Sequence, residues 1–185
     1  MDQTQFAQAL LLYFIMPLWL AAGFADYLCH RASDIAHTSG YKESLLHLLM
    51  FGEIAVPLLA ALFFEINALV ILLMIAGFLV HEATALWDVS YAIDKREVGP
   101  FEQHVHSFLE LLPLMAMLIV VILHWPQFLA LFGLGPEAPR FELVLKSEPL
   151  PWAYVTAFLV TVALLELLPY TEELVRGLRA SAGKR

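Results

Sequence analysis

Four acid–histidine pairs are the residues of this sequence with the clearest capacity for chemistry. The two members of each pair stand four or seven residues apart, so they share one face of a helix. Imidazole and carboxylate groups together suit iron, manganese and zinc. The pairs are Asp26/His30, Glu43/His47, His81/Asp88 and Glu102/His106. We therefore predict a metal site with these eight residues as its ligands.

The segments that must position these pairs are typical of a membrane protein. Of the 185 residues, 61% are hydrophobic, and the mean hydropathy of +0.74 is too high for a soluble domain. The apolar stretches predict an all-α fold with five transmembrane helices, of which the first four form a four-helix-bundle core. We place these helices at residues 6–36, 41–64, 66–93, 100–124 and 152–179 of a single transmembrane domain, residues 1–185.

The loop at residues 125–151 contains five of the ten prolines, so we predict that it does not cross the membrane. We expect it on the outside, with at most a short amphipathic piece or strand at residues 141–146. Pro17 is expected to kink the first helix.

The basic residues predict the orientation. Eight of the ten Lys and Arg residues fall on the side of the first loop, the third loop and the C-terminus. Cytoplasmic loops carry an excess of Lys and Arg, so the N-terminus is expected outside and the C-terminus in the cytoplasm. All four pairs then lie at the cytoplasmic end of the bundle. The eight Lys and Arg residues on this side are Arg31, Lys42, Lys95, Arg96, Arg176, Arg179, Lys184 and Arg185.

Two acids lie deeper in apolar sequence. Glu53 and Glu110 are predicted to act in catalysis as proton-transfer groups, with roles as further ligands or bridging carboxylates left open. His104 and His106 point to nearly opposite sides of a helix, so at most one faces the bundle centre, and His106 is preferred. His37 either extends the face of His30 or is an exposed loop residue.

Three other charged residues flank the predicted site. Arg31 and Arg96 are expected at its mouth, where they either contact an anionic substrate or lipid headgroup or serve only as topology signals. Glu166 of the fifth helix is expected nearer the middle of the membrane and outside the site. The formal net charge of −8 argues against nucleic acid as a partner.

Two stretches resemble a family of uncharacterised bacterial integral membrane proteins: HRASDIAHTSGYKES at residues 30–44 and EQHVH at residues 102–106. The resemblance covers residues 26–113 and implies a bacterial cytoplasmic membrane, but it implies no activity. In ligand type the chain is also similar to membrane di-iron oxygenases of the fatty-acid desaturase and hydroxylase group. It lacks their His-x-x-His-His boxes, and its Glu-x-x-x-His spacing differs from the Glu-x-x-His of soluble di-iron bundles.

These features favour a metal-dependent membrane oxidoreductase. Up to four carboxylates and four histidines suit two metal ions, with iron preferred over zinc or manganese, acting on a lipid or other hydrophobic substrate. A redox partner or a homo-oligomer would be compatible with this function. The alternatives are a zinc-dependent membrane hydrolase, a metal or proton transporter, a haem cytochrome, and an assembly protein whose polar cluster only specifies packing.

Overall fold

Five long helices make up most of the protein. The computed structural model describes residues 1–183, and Lys184 and Arg185, which entered the orientation prediction, lie outside the described residues. The helices are α1 (Gln3–Ala32), α2 (Tyr41–Phe63), α3 (Ala68–Ile93), α4 (Pro100–Leu123) and α5 (Trp152–Ala182). Each is long and apolar enough to cross a hydrocarbon core of about 30 Å, so the prediction of an all-helical protein with five spans is confirmed.

The five helices pack side by side in a closed circle. α1 packs against α4 and α5, α2 packs against α5 and α3, and α3 packs against α4. The fifth helix therefore lies between α1 and α2 and completes the wall of the bundle. The loops after α1 and α3 and the end of α5 lie at one end of the circle, which we call the site end, and the turn between α2 and α3 lies at the far end.

In both α1 and α5, a π-helical turn accommodates a proline within the helix. A wide π-helical turn covers Leu11–Ile15 in α1 and Ala163–Leu167 in α5, and each ends two residues before Pro17 or Pro169. A proline ring clashes with the carbonyl group four residues before it, and in both helices that residue lies inside the π-helical turn. The wider turn relieves the clash without ending the helix.

The first loop folds back over the site end. α1 ends at Ala32, four residues before the predicted end, because Asp34 takes a left-handed conformation with φ of 50°. Ile35 is fully buried, and the hydroxyl of Tyr91 donates a hydrogen bond of 2.9 Å to the carbonyl of Ser39. Gly40, with φ of 79°, precedes α2 in a conformation that glycine adopts without strain.

The segment after α4 closes the far end. A short helix, Trp125–Ala130, follows α4, and the extended chain beyond it contacts the turn between α2 and α3. The amide of Glu65 donates to the carbonyl of Val144 at 2.8 Å, and Phe64 forms an isolated β-bridge with Leu145. The predicted non-spanning loop is thus bound to the bundle through backbone hydrogen bonds.

The backbones of α2 and α5 approach closely at the site end. A Cβ atom built on Gly177 would lie 2.9 Å from the Cα atom and 3.0 Å from the amide nitrogen of Tyr41, the first residue of α2. Only glycine fits such an approach. Because Glu173 stands one helical turn before Gly177, this contact sets how deep the Glu173 side chain enters the bundle.

Adding a methyl group at this contact should destabilise the protein. Gly177→Ala is expected to lower the free energy of unfolding by about 1–3 kcal/mol, since the α2 backbone must shift. Gly52→Ala is the matched control, because nothing lies within 4 Å of the added atom, and it should raise stability by about 0.4–1 kcal/mol. Thermal unfolding in detergent measures both, and an unchanged or raised Tm for Gly177→Ala would contradict the close packing.

Candidate metal centre

All five helices and one loop contribute polar side chains to a single cluster at the site end. The side chains are buried, apart from a 17% exposed imidazole at His106. Helices α1 to α4 supply seven of the eight predicted ligands, α5 adds two residues, and the loop between α3 and α4 adds an arginine. The cluster comprises Asp26, His30, Glu43, His47, Asp88, Arg96, Glu102, His106, Tyr170 and Glu173.

One carboxylate holds two imidazole rings in place. Glu173 Oε2 lies 3.1 Å from His30 Nδ1, and Glu173 Oε1 lies 2.9 Å from His47 Nδ1. The two rings stack nearly parallel, with centroids 4.2 Å apart and an angle of 10° between their planes. Both Nδ1 atoms are therefore engaged, and both Nε2 atoms are left to face the other acids. Metal-binding histidines are commonly oriented by such a carboxylate.

The free Nε2 atoms are surrounded by carboxylate oxygens. His30 Nε2 lies 3.3 Å from Asp26 Oδ2 and 3.6 Å from Glu102 Oε1. His47 Nε2 lies 3.3 Å from Asp88 Oδ2 and 4.0 Å from Glu43 Oε1. Two ligand atoms that each lie about 2 Å from one ion are separated by about 3–4 Å, depending on the angle between them, so this spacing suits ligands of a common ion.

Two buried atoms of the cluster have no hydrogen-bond partner within residues 1–183. They are His30 Nε2 and Asp88 Oδ1. A buried polar atom without a partner costs about 1–3 kcal/mol, so its presence calls for an explanation such as a bound ion. The imidazole nitrogens and carboxylate oxygens of the cluster, and the distances between them, thus fit the ligands of a metal ion.

Asp26 connects the histidines of α1 and α4. Its Oδ1 lies 3.0 Å from His106 Nε2, and its Oδ2 accepts a hydrogen bond of 3.2 Å from the hydroxyl of Tyr170. The same hydroxyl lies 3.0 Å from the carbonyl oxygen of Gly23. Two overlapping groups in the described chain have ligand atoms within 4.8 Å of one another and could each hold an ion. One is Asp26, His30, Glu102 and His106, and the other is His30, Glu43 and His47.

Arg96 is buried between two of the acids. Its Nη2 atom lies 2.6 Å from both Glu43 Oε1 and Glu102 Oε1, and its Nη1 atom lies 3.0 Å from Glu102 Oε2. Burial opposes its charge, but the hydrogen bonds to Glu102 and Glu43 prevail and raise the pKa of Arg96 above its ordinary value. Arg96 therefore lies inside the cluster as the counter-ion of two acids, whereas Arg31 is exposed and pairs with Glu172 at 3.1 Å.

With its histidines uncharged, the cluster carries a negative formal charge. Five carboxylates face one guanidinium, which leaves four negative charges, equal to the charge of two divalent cations. Uncompensated buried charge is strongly unfavourable. The carboxylates are Asp26, Glu43, Asp88, Glu102 and Glu173.

His81 lies apart from the other predicted ligands. It stands seven residues before Asp88 on α3, about 10 Å deeper along the helix. Among the described residues no ion pair joins it to the cluster, and it lines the cavity together with Glu110. Glu53 Oε1 accepts a hydrogen bond of 2.8 Å from Thr84 Oγ1. The structure thus groups His81 with the two deeper acids.

A largely apolar cavity leads from the cluster into the bundle. Its volume is about 340 Å³, within the range of small-molecule sites. Asp26, His47, Asp88 and His106 line its site end, and apolar side chains such as Phe51 form most of the remaining wall. A second cavity of about 410 Å³ lies towards the far end. The residues that line both cavities are Trp19, Ile54, Leu58 and Phe158.

The two histidines left open by the sequence lie outside the cluster. His104 is exposed, with its ring against Phe108 at a centroid distance of 5.3 Å. His37 is 60% exposed and pairs with Asp34 at 3.0 Å, as expected of a loop residue.

Sequence reasoning missed the contribution of α5. The acid–histidine spacing does not indicate Glu173 or Tyr170, because α5 contains no histidine. A signal was nevertheless present in the sequence. Tyr170 follows Glu166 by four residues and Glu173 follows it by seven, so the three share one face of an apolar helix. Arg96 was placed at the mouth rather than inside the site.

The chain matches no protein-family model, no curated protein and no solved structure. The resemblance of residues 26–113 to bacterial membrane proteins therefore stays a prediction.

Removing the buried guanidinium should be costly. Arg96→Met leaves Glu43 and Glu102 unpaired, so we expect the free energy of unfolding to fall by about 3–5 kcal/mol. Arg31→Met is the matched control, because its pair with Glu172 is solvent-exposed and contributes about 0–1 kcal/mol. Thermal unfolding in detergent distinguishes the two variants. Equal losses of stability would mean that Arg96 is not an essential buried counter-ion.

Proposed function

We propose that this protein is an integral membrane metalloenzyme, a non-haem di-iron oxidoreductase acting on a lipid or other hydrophobic substrate. The observation that carries the proposal is the stacked pair of imidazoles on Glu173, with both Nε2 atoms directed at buried carboxylates beside an apolar cavity.

Two ions are favoured over one by geometry and charge. The two groups of convergent ligand atoms overlap only at His30, so they define neighbouring rather than identical positions. Two divalent ions would also balance the four excess negative charges. The proposed ligands are Asp26, His30, Glu43, His47, Asp88, Glu102 and His106, and His81 is not included.

The ligand types favour iron among the candidate metals. Imidazole with carboxylate is typical of iron, manganese and zinc, whereas thiolate ligands are absent from the described cluster. Helix bundles that present several carboxylates and histidines inward are typical of dinuclear iron and manganese proteins. Bound iron would supply oxygen activation and electron transfer, which zinc does not.

The cavity favours a hydrophobic substrate. Bound in it, an alkyl chain would lie against apolar side chains, with one end at Asp26, Asp88 and His106. In the proposed reaction a carbon–hydrogen bond is replaced by a carbon–oxygen bond. One atom of dioxygen enters the substrate, and the other leaves as water after uptake of two protons and two electrons. A redox partner would supply the electrons.

Glu53 and Glu110 are proposed to carry protons. Glu110 lines the cavity, and Glu53 Oε2 is buried without a hydrogen-bond partner in the described chain. Acids within a membrane span are commonly parts of proton relays. The excess of basic residues at the site end supports a cytoplasmic position for the metal centre, where soluble electron donors could reach it.

Elemental analysis of purified protein tests the metal centre. We expect about two iron ions per chain, and His47→Ala and His106→Ala should each lose bound metal because a ligand is removed. His104→Ala is the control, since His104 is exposed and lies on the same helix as His106. Metal-free wild-type protein, or an unchanged content in both ligand variants, would exclude the proposed centre.

The optical spectrum distinguishes oxidation from hydrolysis. Reduced protein should change its absorbance when exposed to oxygen, as iron is oxidised. Colourless protein that retains stoichiometric zinc would instead support the membrane hydrolase.

A further inference from the structure

The charges around the cavity restrict what can bind there. Four acids line it, and no Lys or Arg does so among residues 1–183. Asp26 and Asp88 belong to the proposed metal centre, where bound ions would balance their charge. Glu110 and Glu166 are not balanced in that way. An anionic ligand would therefore be buried in a medium of low dielectric constant without a described Lys or Arg to compensate its charge.

Glu166 is a polar group positioned between the cavity and the cluster. The residue is only 7% exposed, and its Oε1 atom has no hydrogen-bond partner among the described residues. It lies within the π-helical turn of α5, one helical turn before Tyr170, whose hydroxyl contacts Asp26. Gly23 of α1 makes room for it, because a Cβ atom at that position would collide with the carboxyl group.

We propose that Glu166 is the substrate-anchoring residue of the cavity, and that it binds the hydroxyl group of an uncharged, single-chain amphiphile such as a long-chain alcohol. The apolar walls would hold the chain, and Glu166 would form a hydrogen bond with the hydroxyl. A hydroxyl group can donate to a carboxylate and accept from a carboxylic acid, so the contact does not depend on the protonation of Glu166.

This inference rests on the proposed function, because the anchor would place the substrate beside the metal centre. It deepens that function by naming the substrate class. Glu166, Tyr170 and Asp26 line the same cavity, and the Tyr170 hydroxyl donates to Asp26, so a hydroxyl bound at Glu166 would lie close to the ligand set. Fatty acids and phospholipid headgroups would be disfavoured, since no Lys or Arg of the described residues lines the cavity to compensate their negative charge.

Equilibrium binding of radiolabelled hexadecanol to purified, iron-loaded protein in detergent tests the inference. Hexadecanol should bind, and palmitate should compete at least about ten-fold less well. Glu166→Met removes the hydrogen bond with little change in side-chain length, and should weaken hexadecanol binding by about ten-fold or more. Glu166→Gln keeps the hydrogen-bonding capacity and should retain most of the affinity.

Glu172→Gln is the matched control, because Glu172 lies on the same helix, is exposed and does not line the cavity. It should bind hexadecanol like the wild type. Three results would overturn the inference: palmitate competing as well as hexadecanol, hexadecylamine competing more strongly than hexadecanol, or unchanged affinity in Glu166→Met.

Iron content measured on the same samples separates the two proposals. The Glu166 variants should keep their iron, since Glu166 is not a proposed ligand. Wild-type protein that binds hexadecanol through Glu166 but holds no metal would refute the proposed function and leave the ligand class supported.

Discussion

Five carboxylates are buried at one end of a bundle of apolar helices, and their negative charge must be compensated by groups beside them inside the bundle. Isolated buried charges cost several kcal/mol each, so the fold is tolerable only with nearby cations. Arg96 supplies one, bridging Glu43 and Glu102. The remaining charge can be met by protonated histidines or by metal ions. His30 Nε2 lies 3.3 Å from Asp26 Oδ2 but makes no hydrogen bond within the described chain, and a shared ion would join the two atoms.

The fifth helix supplies the side chains that orient the polar residues of the other four helices. Glu173 orients the imidazoles of His30 and His47, and the close contact at Gly177 holds it at the right depth. The π-helical turn before Pro169 directs Glu166 to the cavity while Tyr170 and Glu173 face the cluster. One helix face thus carries both the support of the metal ligands and the proposed anchor of the substrate.

Helix periodicity explains what could be predicted from the sequence. Spacings of four residues correctly placed the pairs that begin or end α1, α2 and α4 on faces turned towards the bundle centre. The spacing of His81 and Asp88 specified a common face but not a common depth. Glu173 has no histidine neighbour in sequence, so its role depends on the packing of α5. Arg96 belongs to a loop, and the direction of a loop side chain follows from tertiary contacts.

X-ray absorption spectroscopy at the iron edge tests most directly whether the buried cluster is a dinuclear metal centre. The account predicts a first shell of nitrogen and oxygen ligands at about 2.0–2.2 Å, without sulfur, and a second iron at about 3.5–4 Å. That separation is typical of two-metal sites. His30 has one free ring nitrogen, so it would bind only one of the two ions. Iron bound with sulfur ligands, isolated single ions, or protein that takes up no metal at all would contradict it.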